Sequence, residues 1–131
     1  MPDQHTYDYA VIRVVPRVER GEFVNAGVVV SCPAAKFLEA RFDLDEPRLA
    51  CLDPEVDLAA VRAHLRSLAA ICAGGPGAGP IGQLSAKERF RWVTSPRSTI
   101  IQTSAAHTGT CGDPAAVLEH LLAAMVRRAR P

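Results

Sequence analysis

The sequence predicts an α+β domain: an antiparallel sheet of about four strands, opening as an N-terminal three-strand meander, with two amphipathic helices packed on one face. Three observations lead there. Residues 7–44 alternate apolar and polar side chains with period two, interrupted only by short turns. Residues 53–73 and 113–126 instead space their apolar residues at helical intervals, each run opened by Asp-Pro. The length of 131 residues, 48% hydrophobic and 22% charged, suits one ordinary globular domain over 1–131.

The first strand is read over Tyr7 to Val18, with Ala10, Ile12 and Val14 on one side and Tyr7, Tyr9, Arg13 and Arg17 on the other. Glu19 to Glu22 is a polar turn in which Gly21 is free to take positive φ. The return strand, Phe23 to Cys32, is expected to put Val24, Ala26, Val28, Val30 and Cys32 on one face and Asn25, Gly27 and Ser31 on the other. Gly27 inside a β run points to a bulge or a close backbone approach. Lys36 to Leu44 repeats the alternation as a third strand, with Arg41 on its polar side.

A helix is then expected to start at Asp53-Pro54, aspartate capping the free amides and proline at the first helical position, and to run to Gly74-Gly75. Residues 73–84, rich in Gly and Pro, read as an internal connector in which Pro80-Ile81-Gly82 is the docked part. Lys87 to Arg91 suggests a short helical turn, Ser98 to Ser104 a strand, and Gly109 to Gly112 a turn. Asp113-Pro114 opens the second amphipathic helix, ending in basic residues near the negative pole of its dipole.

Composition excludes several classes. The formal net charge is +1, so any basic site is local rather than a property of the whole field. Of the 15 basic residues only Lys36 and Lys87 are lysines, and guanidinium can grip carboxylate or phosphate bidentately. Cys32, Cys51, Cys72 and Cys111 form no Cys-x-x-Cys pair, so no zinc site and a reduced, cytoplasmic setting are expected. No apolar run approaches the ~20 residues of a membrane span. Neither a cofactor nor a metal is implied.

Chemistry concentrates in two places. Arg13, Arg17, Asn25 and Arg41 share the polar side of the meander; they form either a solvated face with cross-strand ion pairs or one wall of an anion site. Residues 89–109 put Arg89, Arg91 and Arg97 around Trp92 and follow them with Ser98, Thr99, Gln102 and His107. They are either a seam whose arginines satisfy loop carbonyls or a phosphate-holding segment. His107, before Gly109, is a structural turn residue or a candidate general acid/base, though no partner completes catalytic machinery around it. Aromatics make up only 5% of the chain, which makes single-stranded nucleic acid an unfavoured ligand.

The Arg13-x-x-Pro16-Arg17-x-Glu19-Arg20 hairpin, Asn25-x-Gly27, Arg97-Ser98-Thr99 and His107-Thr108-Gly109, taken in order, resemble the bacterial domain of unknown function 3037 family. The resemblance spans nearly the whole chain. It implies a small cytosolic protein and, through the company such proteins keep with HipA-like kinases in bacterial gene clusters, a partner subunit or regulator. A pattern written in polar residues is more easily explained by a site than by a core.

The expectation is a non-catalytic binding module in which Arg13, Arg17, Asn25, Arg97, Ser98, Thr99, Gln102 and His107 converge on an acidic or phosphorylated group of a protein partner. Two alternatives remain: an enzyme acting on phosphate esters or nucleic acid through His107 and the arginines, and a single-strand nucleic-acid binder.

Overall fold

A computed structural model describes residues 4–97 and 99–127. The elements in chain order are β1 (His5–Val14), β2 (Val24–Cys32), β3 (Phe37–Phe42), α1 (Glu46–Leu52), α2 (Leu58–Ala73), α3 (Gly79–Gly82), α4 (Ala86–Val93), β4 (Ile101–Thr103), β5 (His107–Cys111) and α5 (Pro114–Met125). The fold is α+β, and every strand pairing is antiparallel. The sheet runs β3-β2-β1-β4, with β5 also on β1. β1 is central: β2 takes one of its edges, while β4 and β5 divide the other end to end, at Ile12–Val14 and His5–Tyr9.

The opening meander forms, but β1 ends at Val14 rather than at the expected Val18, which takes Arg17 off the strand, and the alternation breaks at one further position. Ile12 pairs with Gly27, but Arg13 pairs with Asn25, which leaves Ala26 as an unpaired extra residue. This bulge reverses the side-chain parity of β2 beyond it. Val24 and Ala26 therefore share a face with Val29, whereas Val28 and Val30 turn to the other. Gly27 sits at that point with no room for a side chain; an added Cβ would come within 2.4 Å of the Phe42 ring and 2.5 Å of the Arg41 carbonyl.

The reversal makes both faces of β2 apolar, and both are covered. Leu65, Leu68 and Ile71 of α2 pack with Ala10, Ile12, Val14 and Val29. Leu118, Leu121 and Leu122 of α5 pack with Val28 and Val30, flanked by Tyr7, Tyr9 and Phe37. The two helices thus lie on opposite faces instead of sharing one. A strict period-two reading cannot see this, because a single inserted residue exchanges the faces.

Four local elements also differ from expectation, the first being α1, a helix capped by Asp45 where none was expected. Asp53-Pro54 opens no helix: the Asp53 carboxylate accepts from the Glu55 amide at 3.0 Å in a tight turn, and Asp57 caps α2 by accepting from Ala60 N at 3.0 Å. Asp-Pro fits an isolated turn as well as a helix start, and nothing local separates the two. Residues 74–84 are more ordered than a connector, with a 3₁₀ turn at Pro76–Ala78, the short α3, and Ile81 packed on the core. Residues 107–111, read partly as a turn because of Gly109, are the fifth strand. Gly109 is there for space: a Cβ would stand 2.7 Å from the Tyr7 hydroxyl. Asp113 does cap α5 as read, accepting from Ala115 N at 3.0 Å.

An ion network ties α5 to β3. Glu119 accepts from Arg127 at 2.6 Å and from Arg41 at 3.0 Å, while Arg41 also holds Glu39 and Arg127 also holds Asp43. The hydrogen bonds from Arg127 and then Arg41 hold the Glu119 carboxyl below its ordinary 4.5. A carboxyl depressed in the folded state contributes stability that is present above the unfolded pKa and is lost as pH falls through the folded one. The pairs are exposed, so the effect is modest. We expect the urea midpoint to fall as pH drops below about 4.5 and Glu119→Gln to flatten that decline. Identical slopes for both proteins would assign the acid sensitivity elsewhere.

Candidate functional site

Cross-strand register brings three of the expected residues side by side. Asn25, Arg13 and Gln102 occupy matching positions on β2, β1 and β4. The Arg13 guanidinium lies over the Phe23 ring, 4.3 Å from its centroid, and its buried Nε–H finds no acceptor among the described residues. Asn25 Nδ2 donates to the Met125 carbonyl at 3.0 Å, which anchors the end of α5, and its buried Oδ1 is unpartnered among the described residues. Gln102 Nε2 donates back to the Thr99 carbonyl at 2.9 Å. This row is on the α5 side of the sheet.

Arg97 and Thr99 are elsewhere. Ile101 pairs with Val14 and so faces α2, the opposite way from its neighbour Gln102. Along that side runs a cleft of about 500 Å³ between α2 and the segment joining α4 to β4. Leu68, Ile71, Ile100, Ile101 and Val18 form its apolar walls, and Arg97, Thr99, His64, Ser67 and Trp92 supply the polar and aromatic lining. Neither Arg13, Asn25 nor Gln102 lines it. The sheet itself separates the two halves of the pocket expected from sequence.

Arg17 is exposed beside Glu19, at 3.4 Å, and begins the turn that Gly21 closes at φ 70°. His107 lies on β5, exposed, with its ring 5.4 Å from that of Tyr9, its cross-strand partner. Arg13 is four residue steps along β1 from Tyr9, about 13 Å at the usual strand rise. His107 and the arginines are therefore not brought to one ligand. Ser98 lies outside the described residues.

The cleft owes its cation to the end of α4. Ser85 caps that helix by accepting from Glu88 N at 3.2 Å, and after Val93 the chain turns so that Arg97 folds back on the helix. Its Nη1 donates to the Val93 carbonyl at 3.3 Å and its Nη2 to the Trp92 carbonyl, with the guanidinium 4.1 Å from the Trp92 ring centroid. A cation at a helix C-terminus is favourably placed, and stacking on tryptophan adds to it. Guanidinium carries five N–H donors, so three meet no acceptor among the described residues. No carboxylate among the described residues pairs with Arg97, and burial draws its pKa down. Arg89, by contrast, is wholly a seam residue, donating to the Ile71, Cys72 and Leu84 carbonyls.

The family comparison covers this whole region. A family model described as a protein of unknown function, DUF3037, matches residues 9–126. The chain belongs to this family. No curated protein and no solved structure matches the chain. Membership in DUF3037 carries no activity with it, so the chemistry of the cleft has to be read from its own residues. His64 and Ser67 are the part of the cleft that sequence reading missed. They stand one turn apart on α2, next to the apolar Leu68 and Ile71, and that polar pair edging an apolar stripe was the available signal. Among the described residues no group of His, Cys, Asp or Glu could hold a metal ion, and no helix is long and apolar enough to cross a membrane.

Proposed function

We propose that this DUF3037 protein is a non-catalytic binding module whose α2–α4 cleft takes an acidic or phosphorylated group of a protein partner. The observation that carries the reading is Arg97: a half-buried guanidinium, carboxylate-free among the described residues, at a cleft of about 500 Å³. Arg97 reads the negative charge; His64 and Ser67 orient it; the apolar walls take the neighbouring aliphatic part of the partner. Small-molecule and side-chain sites are built in this way, from an apolar hollow with a few convergent polar groups. The first partner to test is a HipA-like kinase, the class the family resemblance implies.

Arg97→Ala is expected to abolish capture of that partner in a pull-down. Loss of the two carbonyl bonds and the Trp92 stack lowers stability by about 1–2 kcal/mol, leaving a folded protein. Arg97→Lys keeps the charge but not the fork, and should retain weak capture. Undiminished capture by the folded Arg97→Ala protein would refute the assignment.

A further inference from the structure

The chain has two lysines in all, and both line the same hollow. Lys36, after the β2–β3 turn, and Lys87, in the first turn of α4, edge a cleft of about 430 Å³ floored by Ser31, Leu38 and Cys72. It is distinct from the Arg97 cleft: no residue lines both. Its third cation, Arg89, is occupied by the backbone carbonyls at the end of α2. The two ammoniums are not so occupied. No carboxylate pairs with either among the described residues, no acidic residue lines the hollow, and neighbouring Glu88 is engaged by Ser85 at 2.9 Å.

Lys36 carries a second signal. Its φ is 53°, the one non-glycine residue among the described residues with a positive φ. The turn Pro33–Ala35 needs a left-handed residue to close it, with Lys36 N donating to the Pro33 carbonyl at 3.0 Å. Glycine or asparagine would adopt that conformation more cheaply. A strained lysine whose side chain edges a concave site with no acidic residue among its described lining is better explained by what the ammonium binds than by the turn it closes.

We propose that this cleft binds the phosphate group of a small phosphorylated metabolite. Two ammoniums with no carboxylate partner among the described residues match a phosphomonoester dianion, and lysine serves phosphate as a mobile point charge with three donors. The buried Ser31 faces the cleft from its floor, and Leu38 and Ala73 provide an apolar wall for the body of the ligand. Burial pushes the Cys72 thiol up to about 11, so that wall stays neutral at physiological pH. The volume suits a small molecule, since ligand clefts run from about 300 to 1,000 Å³.

The test uses calorimetric titration with three probes: inorganic phosphate, ribose 5-phosphate and adenosine 5′-monophosphate. Lys36→Gly relieves the left-handed strain while removing the ammonium, and Lys87→Ala keeps a good helix former, so both variants should melt at or near the wild-type temperature. At least one probe is expected to bind the wild type and to bind the double variant at least tenfold more weakly, with affinity unchanged in Arg97→Ala. Tighter binding of the two esters than of inorganic phosphate places the organic body on the Leu38 wall and supports the proposal; equal binding of all three overturns the assignment of an organic phosphate. Failure of all three probes to bind the wild type at millimolar concentration, or equal affinity in the double variant, overturns the proposal.

Discussion

Replacing Gly27 with alanine is expected to destabilise the protein by about 3 kcal/mol, at the upper end of what overpacking costs in a closely packed core. The substitution adds one methyl group, but at the bulge that methyl would meet the Phe42 ring at 2.4 Å and the Arg41 carbonyl at 2.5 Å. A ring can turn aside; a carbonyl inside a paired strand cannot move without breaking the β2–β3 ladder, in which Gly27 and Phe42 are register partners. Trimming the ring by Phe42→Ala should therefore fail to rescue Gly27→Ala. Urea unfolding of both single variants and the double checks this. Near-wild-type stability of Gly27→Ala, or full rescue by Phe42→Ala, would mean that the two strands do not approach as described.

A loss of similar size is expected from Leu118→Ala. Leu118 is fully buried among Val28, Val30, Leu121 and Leu122, so truncation leaves a cavity as well as lost burial, together about 3 kcal/mol. Leu65→Ala, on α2, should cost a comparable amount from the other cluster. Because the sheet stands between the two sites, their effects should add to within about 0.5 kcal/mol in the double variant. A strong deviation from additivity would place both helices in one core, and a cost under about 1 kcal/mol for Leu118→Ala would make α5 peripheral.

How far the sequence anticipates this molecule depends on how local each decision is. The oily sides of β1 and β3, the cap at Asp113 and the end of α2 at Gly74 all follow from residues within a turn or two of one another. Gly27 was legible as a bulge or close approach, and it is beside one and makes the other. What the bulge does was not legible, because only pairing with β1 shows that Ala26 is the residue left out. Gly109 illustrates the opposite error: glycine suggests a turn until the Tyr7 ring, a hundred residues earlier, is seen lying against it.

The candidate sites divide in the same way. Arg97 and Thr99 stood out from their own segment, but the walls of their cleft come from α2 and from Val18. Arg13, Asn25 and Gln102 form a row because three strands align in register, and Lys36 meets Lys87 because the end of α2 brings α4 beside the β2–β3 turn.

By itself, then, the sequence determined the fold class and the identity of most elements, since periodicity and capping are short-range free energies summed along the chain. Tertiary structure alone decided that the two helices take opposite faces, that the expected single pocket is parted by the sheet, and that Arg97 and the two lysines line separate clefts. Those outcomes turn on one unpaired residue and on contacts between distant segments, and no pattern within a strand or helix encodes either.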